Sequence, residues 1–365
     1  MPKAPASTTG DVDSATGLPS ANETPDAQMN DAAQTNDETQ ASDARMNDGD
    51  ASSVSVVVPS FNHAAFIERT LRSVFRQTHA PRELLVIDDG SQDRSPRIIE
   101  RVLGDCPFAC DFVARENRGL SATLNEGFAR ASRGRFFAYL GSDDLWFPQF
   151  LEARVELLQS RGARAVLAYG NAYSIDADDR IIDSTADWAR YRDGDVRRML
   201  LETLAPLSPT VVYRREALST EPWNEAAALE DYELYLRLGA TGEFAFDPRT
   251  LSAWRQHGHN ASLNLQMMLD EKLAAQRRAA ALLNLSATEL EEFQRLARFR
   301  SAQEFMRRGE KREALKLASA NWRGARTSTE ALKLLAGLLT PRRLLARRHA
   351  HRRARATRRY GVLRM

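Results

Sequence analysis

The sequence predicts an α/β fold, a mostly parallel sheet with flanking helices, followed by an α-helical C-terminal region. Three observations predict it. Apolar runs rich in Val, Ile and Leu alternate with helical patterns over residues 54–140, the pace of right-handed βαβ units. The runs are nearly unbroken by polar residues, as in strands covered on both faces. Beyond residue 263 or so the strand-like runs stop and only helical spacing remains.

Taken in order, Val54-Ser55-Val56-Val57-Val58 is the first strand, and Pro59-Ser60-Phe61-Asn62 breaks it. Phe66, Ile67, Leu71, Val74 and Phe75 then fall on one helical face. Leu84–Ile87 is a second strand ending in Asp88-Asp89-Gly90-Ser91, and Ser95–Leu103 a second helix. Residues 109–114 read as a third strand, and Asn117-Arg118-Gly119-Leu120 opens the next helix. Phe136–Leu140 is the fourth strand and ends at Gly141-Ser142-Asp143-Asp144. Ala165–Tyr169 and Thr210–Tyr213 read as further strands and 229–239 as a helix. Leu269, Leu273, Leu290, Phe293, Leu296, Phe299, Phe305 and Leu332–Leu339 mark helices after residue 263.

The totals bound the possibilities. A chain of 365 residues with 43% hydrophobic and 27% charged residues has the composition of a globular protein. No run of eighteen apolar residues is present, so no transmembrane helix is expected. The first residues lack a basic and then apolar leader, so no secretory signal is expected. Cys106 and Cys110, the two cysteines, lack the second ligand pair that a zinc site needs. A cytoplasmic location is therefore expected.

The net charge of +2 conceals two opposed ends. Residues 1–53 hold ten acids against Lys3 and Arg45, carry no aromatic side chain, and are expected to be a disordered acidic tail. Residues 341–365 hold ten arginines and no acid. Such a tail suits anionic lipid headgroups at the inner face of the cytoplasmic membrane, nonspecific nucleic acid, or the acidic residues 1–53. No specific nucleic acid is expected.

Ligand crevices in open α/β sheets lie beyond the carboxyl ends of the strands. Three polar clusters fall at such ends, Pro59–Asn62, Asp88–Ser91 and Ser142–Asp144, and predict one shared site. Each cluster alone could be turn or capping chemistry. Together, clustered carboxylates repel unless a cation joins them. Oxygen ligands of this kind suit Mg²⁺ or Mn²⁺.

The ordered set VSVVVPSFN, LLVIDDGSQD, ENRGLSATLNEGF, FFAYLGSDDLWFP, ALEDYELYLRL and AWRQHGHNAS resembles the inverting family 2 glycosyltransferases of GT-A fold. The resemblance covers residues 54–262, leaving 263–340 as an α-helical region and 341–365 as an arginine-rich tail. It implies a Rossmann-like nucleotide-diphospho-sugar transferase fold. It implies that Pro59, Ser60 and Asn62 meet the base and ribose of a nucleotide-sugar donor, commonly a UDP-sugar. Asp88 matches the acid that hydrogen-bonds the base. Asn117, Gly119 and Asn125 match the segment closing over the nucleotide. Asp143 matches the metal-binding acid of the DxD motif, with Ser142 and Asp144 assisting. Gly141 departs from the family, standing where the first acid usually does. Asp231 of Glu230-Asp231 matches the catalytic base, although acids are favoured in any first helical turn. His257 matches a metal ligand or diphosphate contact, and Arg255 could assist the diphosphate charge.

The implied reaction moves a sugar to a hydroxyl of a glycan or lipid-linked acceptor, in the synthesis of a cell-surface polysaccharide. Trp188 and Trp223, in loop-like stretches, are candidate platforms for the acceptor, while Trp146 and Phe147 read as core. A nucleotidyltransferase would want a Gly-rich basic loop after the first strand, which Pro59-Ser60-Phe61-Asn62-His63 is not. The alternative is a catalytically silent module scaffolding a polysaccharide assembly complex.

Overall fold

The computed structural model describes residues 51–219, 222–258, 260 and 263–364. Most of the acidic segment 1–53, and the boundary at 262, lie outside the described residues. The first half follows the βα rhythm of the sequence. Strands β1 (Val54–Ser60), β2 (Glu83–Asp89), β3 (Cys110–Arg115) and β4 (Phe136–Tyr139) alternate with helices α1 (Ile67–Phe75), α2 (Ser95–Leu103) and α3 (Leu120–Arg130). The four strands pair in parallel in the order β3-β2-β1-β4. The Val, Leu and Ile side chains of β1 and β2 are buried on both faces, in two separate clusters, as the unbroken apolar runs require.

The second half turns the sheet mixed. It contains β5 (Leu145–Trp146), α4 (Phe150–Arg161), β6 (Ala165–Ile175), β7 (Ile181–Ser184), α5 (Arg197–Leu201), β8 (Val212–Arg214), α6 (Glu230–Thr241) and β9 (Glu243–Arg255). Strand β8 lies antiparallel between β4 and β6, and β9 runs parallel to β6 and antiparallel to β5. The sequence pattern does not reveal β9, because Asp247-Pro248-Arg249 breaks its apolar run, and the strand meets β6 through three register shifts. That strand matters for the site. Pairing of Leu145 with Ala253 brings Arg255 beside Asp143-Asp144.

Five helices complete the described chain: α7 (Leu265–Ala279), α8 (Ala287–Arg307), α9 (Lys311–Ala320), α10 (Ser328–Leu339) and α11 (Arg342–Tyr360). Helix α7 puts Ala275 and Ala279 into the same core cluster as β1 and α6. Ser286 and Glu289 form a reciprocal cap on α8. The arginine-rich segment is itself a helix, α11, held at both ends. Arg342 Nε donates to the Gly309 carbonyl at 2.8 Å, and Thr357 Oγ1 to the Ile181 carbonyl at 2.7 Å. No helix among the described residues is long and apolar enough to cross a membrane.

Candidate active site

Three side chains that could ligate a metal meet where β4 ends. His63, Asp143 and His257 each offer one ligand atom, all within 4.8 Å of one another. His257 Nε2 is 2.9 Å from Asp143 Oδ2, and His63 Nδ1 is 3.8 Å from Asp143 Oδ1. The same His63 nitrogen is 2.7 Å from Ser142 Oγ. The rings of His63 and His257 meet edge-on at 5.3 Å, and Phe66 stacks on His257. An open cleft of 530 Å³, lined in part by Asn62, Phe66 and His257, runs up to them.

The sequence made this meeting possible through short local devices. Asn62 adopts a left-handed φ of 55°, which asparagine tolerates, and turns the chain after β1 to present His63. Thr70 Oγ1, from α1, donates to the carbonyls of both Ser142 and Asp144 at 2.9 Å and fixes the loop after β4. A β-carbon on Gly141 would stand 3.1 Å from both Asp143 Oδ1 and Asp144 Oδ2. The absent first acid therefore leaves the room in which the two remaining carboxylates sit.

Arg255 is the brace beneath them. Its N–H donates to Asp144 Oδ1, and its guanidinium to the Asp143 carbonyl, the Asp176 carbonyl and Asp179 Oδ1, at 2.7–2.8 Å. The side chain is 1% exposed and lies over the Phe66 ring. All three guanidinium nitrogens are thus committed inside the protein. Burial, then the Asp143 charge, raises Asp144 well above the usual carboxylate range.

The nucleotide-side residues divide into two groups. Pro59 and Ser60 end β1, and Ser60 sits in register with Asp88 of β2. Among the described residues the Ser60 hydroxyl is buried without a partner, a cost a ligand or water could relieve. Asp88 is 1% exposed, and both its oxygens accept from Ser91, from N–H at 2.8 Å and Oγ at 2.7 Å. Ser91 Oγ in turn accepts from the Asn62 N–H. Asp89, which sequence reading passed over, organises the next loop. It accepts from the N–H groups of Arg118 and Gly119 at 2.8 and 2.9 Å, and pairs with Arg115. Asn117 Nδ2 donates to the Asp89 carbonyl, and Gly119 takes a φ of 89°. Asn125 has both amide atoms bonded to the backbone of Trp223.

Glu230 and Asp231 open α6. Asp231 Oδ1 accepts from the Tyr232 N–H at 2.6 Å. Burial pushes Asp231 up to about 6. Burial and then Asp231 push Glu230 up to about 8. Burial, then Tyr213, then these two charges raise the Tyr139 phenol. A carboxylate poised near neutrality is suited to taking a proton.

Of the aromatic residues, Trp146 is core as expected. Trp223 is a correction. It is 1% exposed and packs edge-on against Phe128 and Tyr139, because the Asn125 clamp draws its loop into the core. Trp188 is half exposed.

Residues 55–220 match the family model described as glycosyl transferase family 2. An uncharacterized glycosyltransferase of Nostoc sp. (strain PCC 7120) is 31% identical over 169 residues, 45% of this chain and 52% of that protein. The chain thus spans about half the length of that relative. Among solved structures, the mannosyltransferase PcManGT from Pyrobaculum calidifontis, in complex with GDP-Man and Mn²⁺, is similar. Its TM-score is 0.53 at 16% identity, over 84% of this chain and 86% of that one. Staphylococcus aureus TarS in complex with UDP-GlcNAc gives 0.53 at 15% identity, over 86% and 93% of the two chains. At these identities the likeness is one of fold, the GT-A type.

Proposed function

We propose that this chain, whose residues 55–220 match the glycosyl transferase family 2 model, transfers a sugar from a UDP-sugar to a hydroxyl of a glycan or lipid-linked acceptor, with inversion, in the synthesis of a cell-surface polysaccharide. The observation that carries this reading is the convergence of His63, Asp143 and His257 at the end of β4. One carboxylate and two imidazoles make a mixed oxygen and nitrogen set, which fits Mn²⁺ better than Mg²⁺. When bound there, the ion supplies positive charge against the departing diphosphate.

The remaining work falls to the protein. Pro59, Ser60, Asn62 and Asp88 frame the nucleotide side, and the loop of Asn117 and Gly119, held by Asp89, borders it. Ser142 and Asp144 hold the metal-side loop in shape, and Arg255 positions both Asp143 and Asp144 from below. Asp231 takes the proton from the acceptor hydroxyl as it attacks the anomeric carbon from the face opposite the nucleotide. Asn125 contributes indirectly, by fixing the loop that leads to Asp231. The arginine-rich residues 341–365 hold the enzyme to an anionic membrane surface, the inner face of the cytoplasmic membrane.

Release of UDP from a panel of UDP-sugars with Mn²⁺ tests the reading. Turnover of at least one donor by the parent, lost in Asp231→Asn, is the expected result. Absence of turnover on every donor would favour a silent scaffold instead.

A further inference from the structure

Helix α10 carries leucines on two faces. Leu334 and Gly337 face inward, and a β-carbon on Gly337 would collide with Met306 of α8. The opposite face presents Leu332, Leu335 and Leu339, spaced i, i+3, i+7 on one side of the helix. These three are 64%, 42% and 84% exposed. Nothing in the described protein covers them, and Leu344, also exposed, follows just beyond the turn at Pro341.

Helix α11 starts from that turn. Its inner line, Leu345, Arg353, Ala356 and Tyr360, is part-buried, and Tyr360 packs on Tyr173 at 5.3 Å. The Leu363 N–H donates to the Asp179 carbonyl at 3.0 Å. The outer face carries Arg343, Arg347, Arg348, Arg355 and Arg358, all exposed. None of these five has an ion pair among the described residues, whereas Arg359, nearer the body, pairs with Asp187.

The geometry points to one docking surface made of α10 and α11, whose occupant is an anionic lipid bilayer. The leucine stripe enters the interface and the arginine face binds headgroup phosphates. An interfacial bilayer takes both features together, apolar side chains below the headgroups and cations among them. A nucleic acid would answer the arginines and leave the leucines in water. A second copy of the chain would bring two arginine faces together. The acidic residues 1–53 offer one leucine and no aromatic side chain, too little to cover the stripe. The inference deepens the membrane reading of residues 341–365 above, and does not depend on sugar transfer.

The placement has a consequence for the cleft. Asp179 accepts the Leu363 N–H through its carbonyl and holds Arg255, the brace of Asp143 and Asp144, through its carboxylate. A bilayer bound along α10 and α11 therefore sits at a fixed offset from the candidate metal ligands, as a lipid-linked acceptor would need.

Vesicle flotation of the full chain tests the surface, using phosphatidylcholine vesicles with and without phosphatidylglycerol. The parent is expected to float only with the anionic vesicles. The combined variant Leu332→Ser, Leu335→Ser, Leu339→Ser is expected to lose at least about tenfold in partition, with thermal midpoint and Mn²⁺ binding unchanged. Each of Arg347→Glu, Arg355→Glu and Arg358→Glu is expected to lose at least about fivefold. Parent-like flotation of the leucine variant overturns the proposal. So does equal flotation on neutral vesicles. A leucine-dependent dimer seen by light scattering, without flotation, assigns the face to a second copy. A leucine-independent shift of labelled RNA, without flotation, assigns it to nucleic acid. A failed donor screen beside intact flotation would touch the catalytic reading alone.

Discussion

Asp143 Oδ2 lies 2.9 Å from His257 Nε2, while the other oxygen of the same carboxylate faces His63 Nδ1 at 3.8 Å. One acid thus links two imidazoles from distant parts of the chain. These are the side-chain atoms that would ligate Mn²⁺. Asp143→Asn is expected to abolish Mn²⁺ binding measured by electron paramagnetic resonance. His63→Ala and His257→Ala should each weaken it by at least about tenfold. Parent affinity in His63→Ala would remove that residue from the ligand set.

The Gly141 position makes a second expectation. Its β-carbon would press on Asp143 Oδ1 and Asp144 Oδ2 at 3.1 Å. Gly141→Ala is therefore expected to cost about 1–3 kcal/mol by overpacking, read from urea denaturation. Gly141→Asp adds a carboxylate beside Asp143, so its loss should be larger without metal and partly recovered with Mn²⁺. A Gly141→Asp protein indifferent to Mn²⁺ would mean that a carboxylate at 141 does not share a cation with Asp143.

Much of this arrangement was legible because strand ends gather in a parallel sheet. The runs at 54–58, 84–87 and 136–140 each end in a polar cluster, and the sheet order β3-β2-β1-β4 makes those ends neighbours. His63 was not legible. A histidine in a turn has no spacing signature that ties it to Ser142, 79 positions away. Asp88 and Asp89 are adjacent, and only the alternation of side chains along a strand separates their tasks. One bonds Ser91 and the other Arg118 and Gly119. Helix α11 was obscured by its charge. Arginine, alanine and leucine are good helix formers, but composition alone does not show that both ends are docked.

The carboxylates of α6 give a pH dependence whose sign can be worked out. Asp231 is pushed up to about 6 and Glu230 to about 8. Between the ordinary carboxylate range near about 4 and those values, the folded protein holds protons that the unfolded chain has released. Stability is therefore present below the ordinary range and is lost as pH rises through about 6 and then about 8. Glu230→Gln should raise the thermal midpoint at pH values near 8 and leave it unchanged near 4. Activity should run the other way, rising as Asp231 ionises through about 6. Asp231→Asn should lower kcat by about 10²–10⁴-fold with Mn²⁺ binding retained. A pH–rate profile flat across that range would detach Asp231 from proton transfer.

Arg255 supplies the last test, because it joins stability to the site. Its guanidinium spans the Asp143 carbonyl, the Asp176 carbonyl and Asp179 Oδ1, and its N–H holds Asp144. Removing one partner of a buried pair leaves a charge without compensation, so Arg255→Ala should cost about 3–5 kcal/mol in urea denaturation. Arg255→Lys keeps the charge but has no planar fork to serve three acceptors. That variant should fold, at a lower midpoint, and bind Mn²⁺ more weakly, although the side chain at 255 is buried at 1% exposure. Asp179→Asn should cost less, since the two carbonyl acceptors remain. Combined with Arg255→Lys it should show a coupling energy, because both substitutions act on one bond. A lysine variant with parent midpoint and parent Mn²⁺ affinity would show that the loop of Asp143 and Asp144 keeps its shape without the brace.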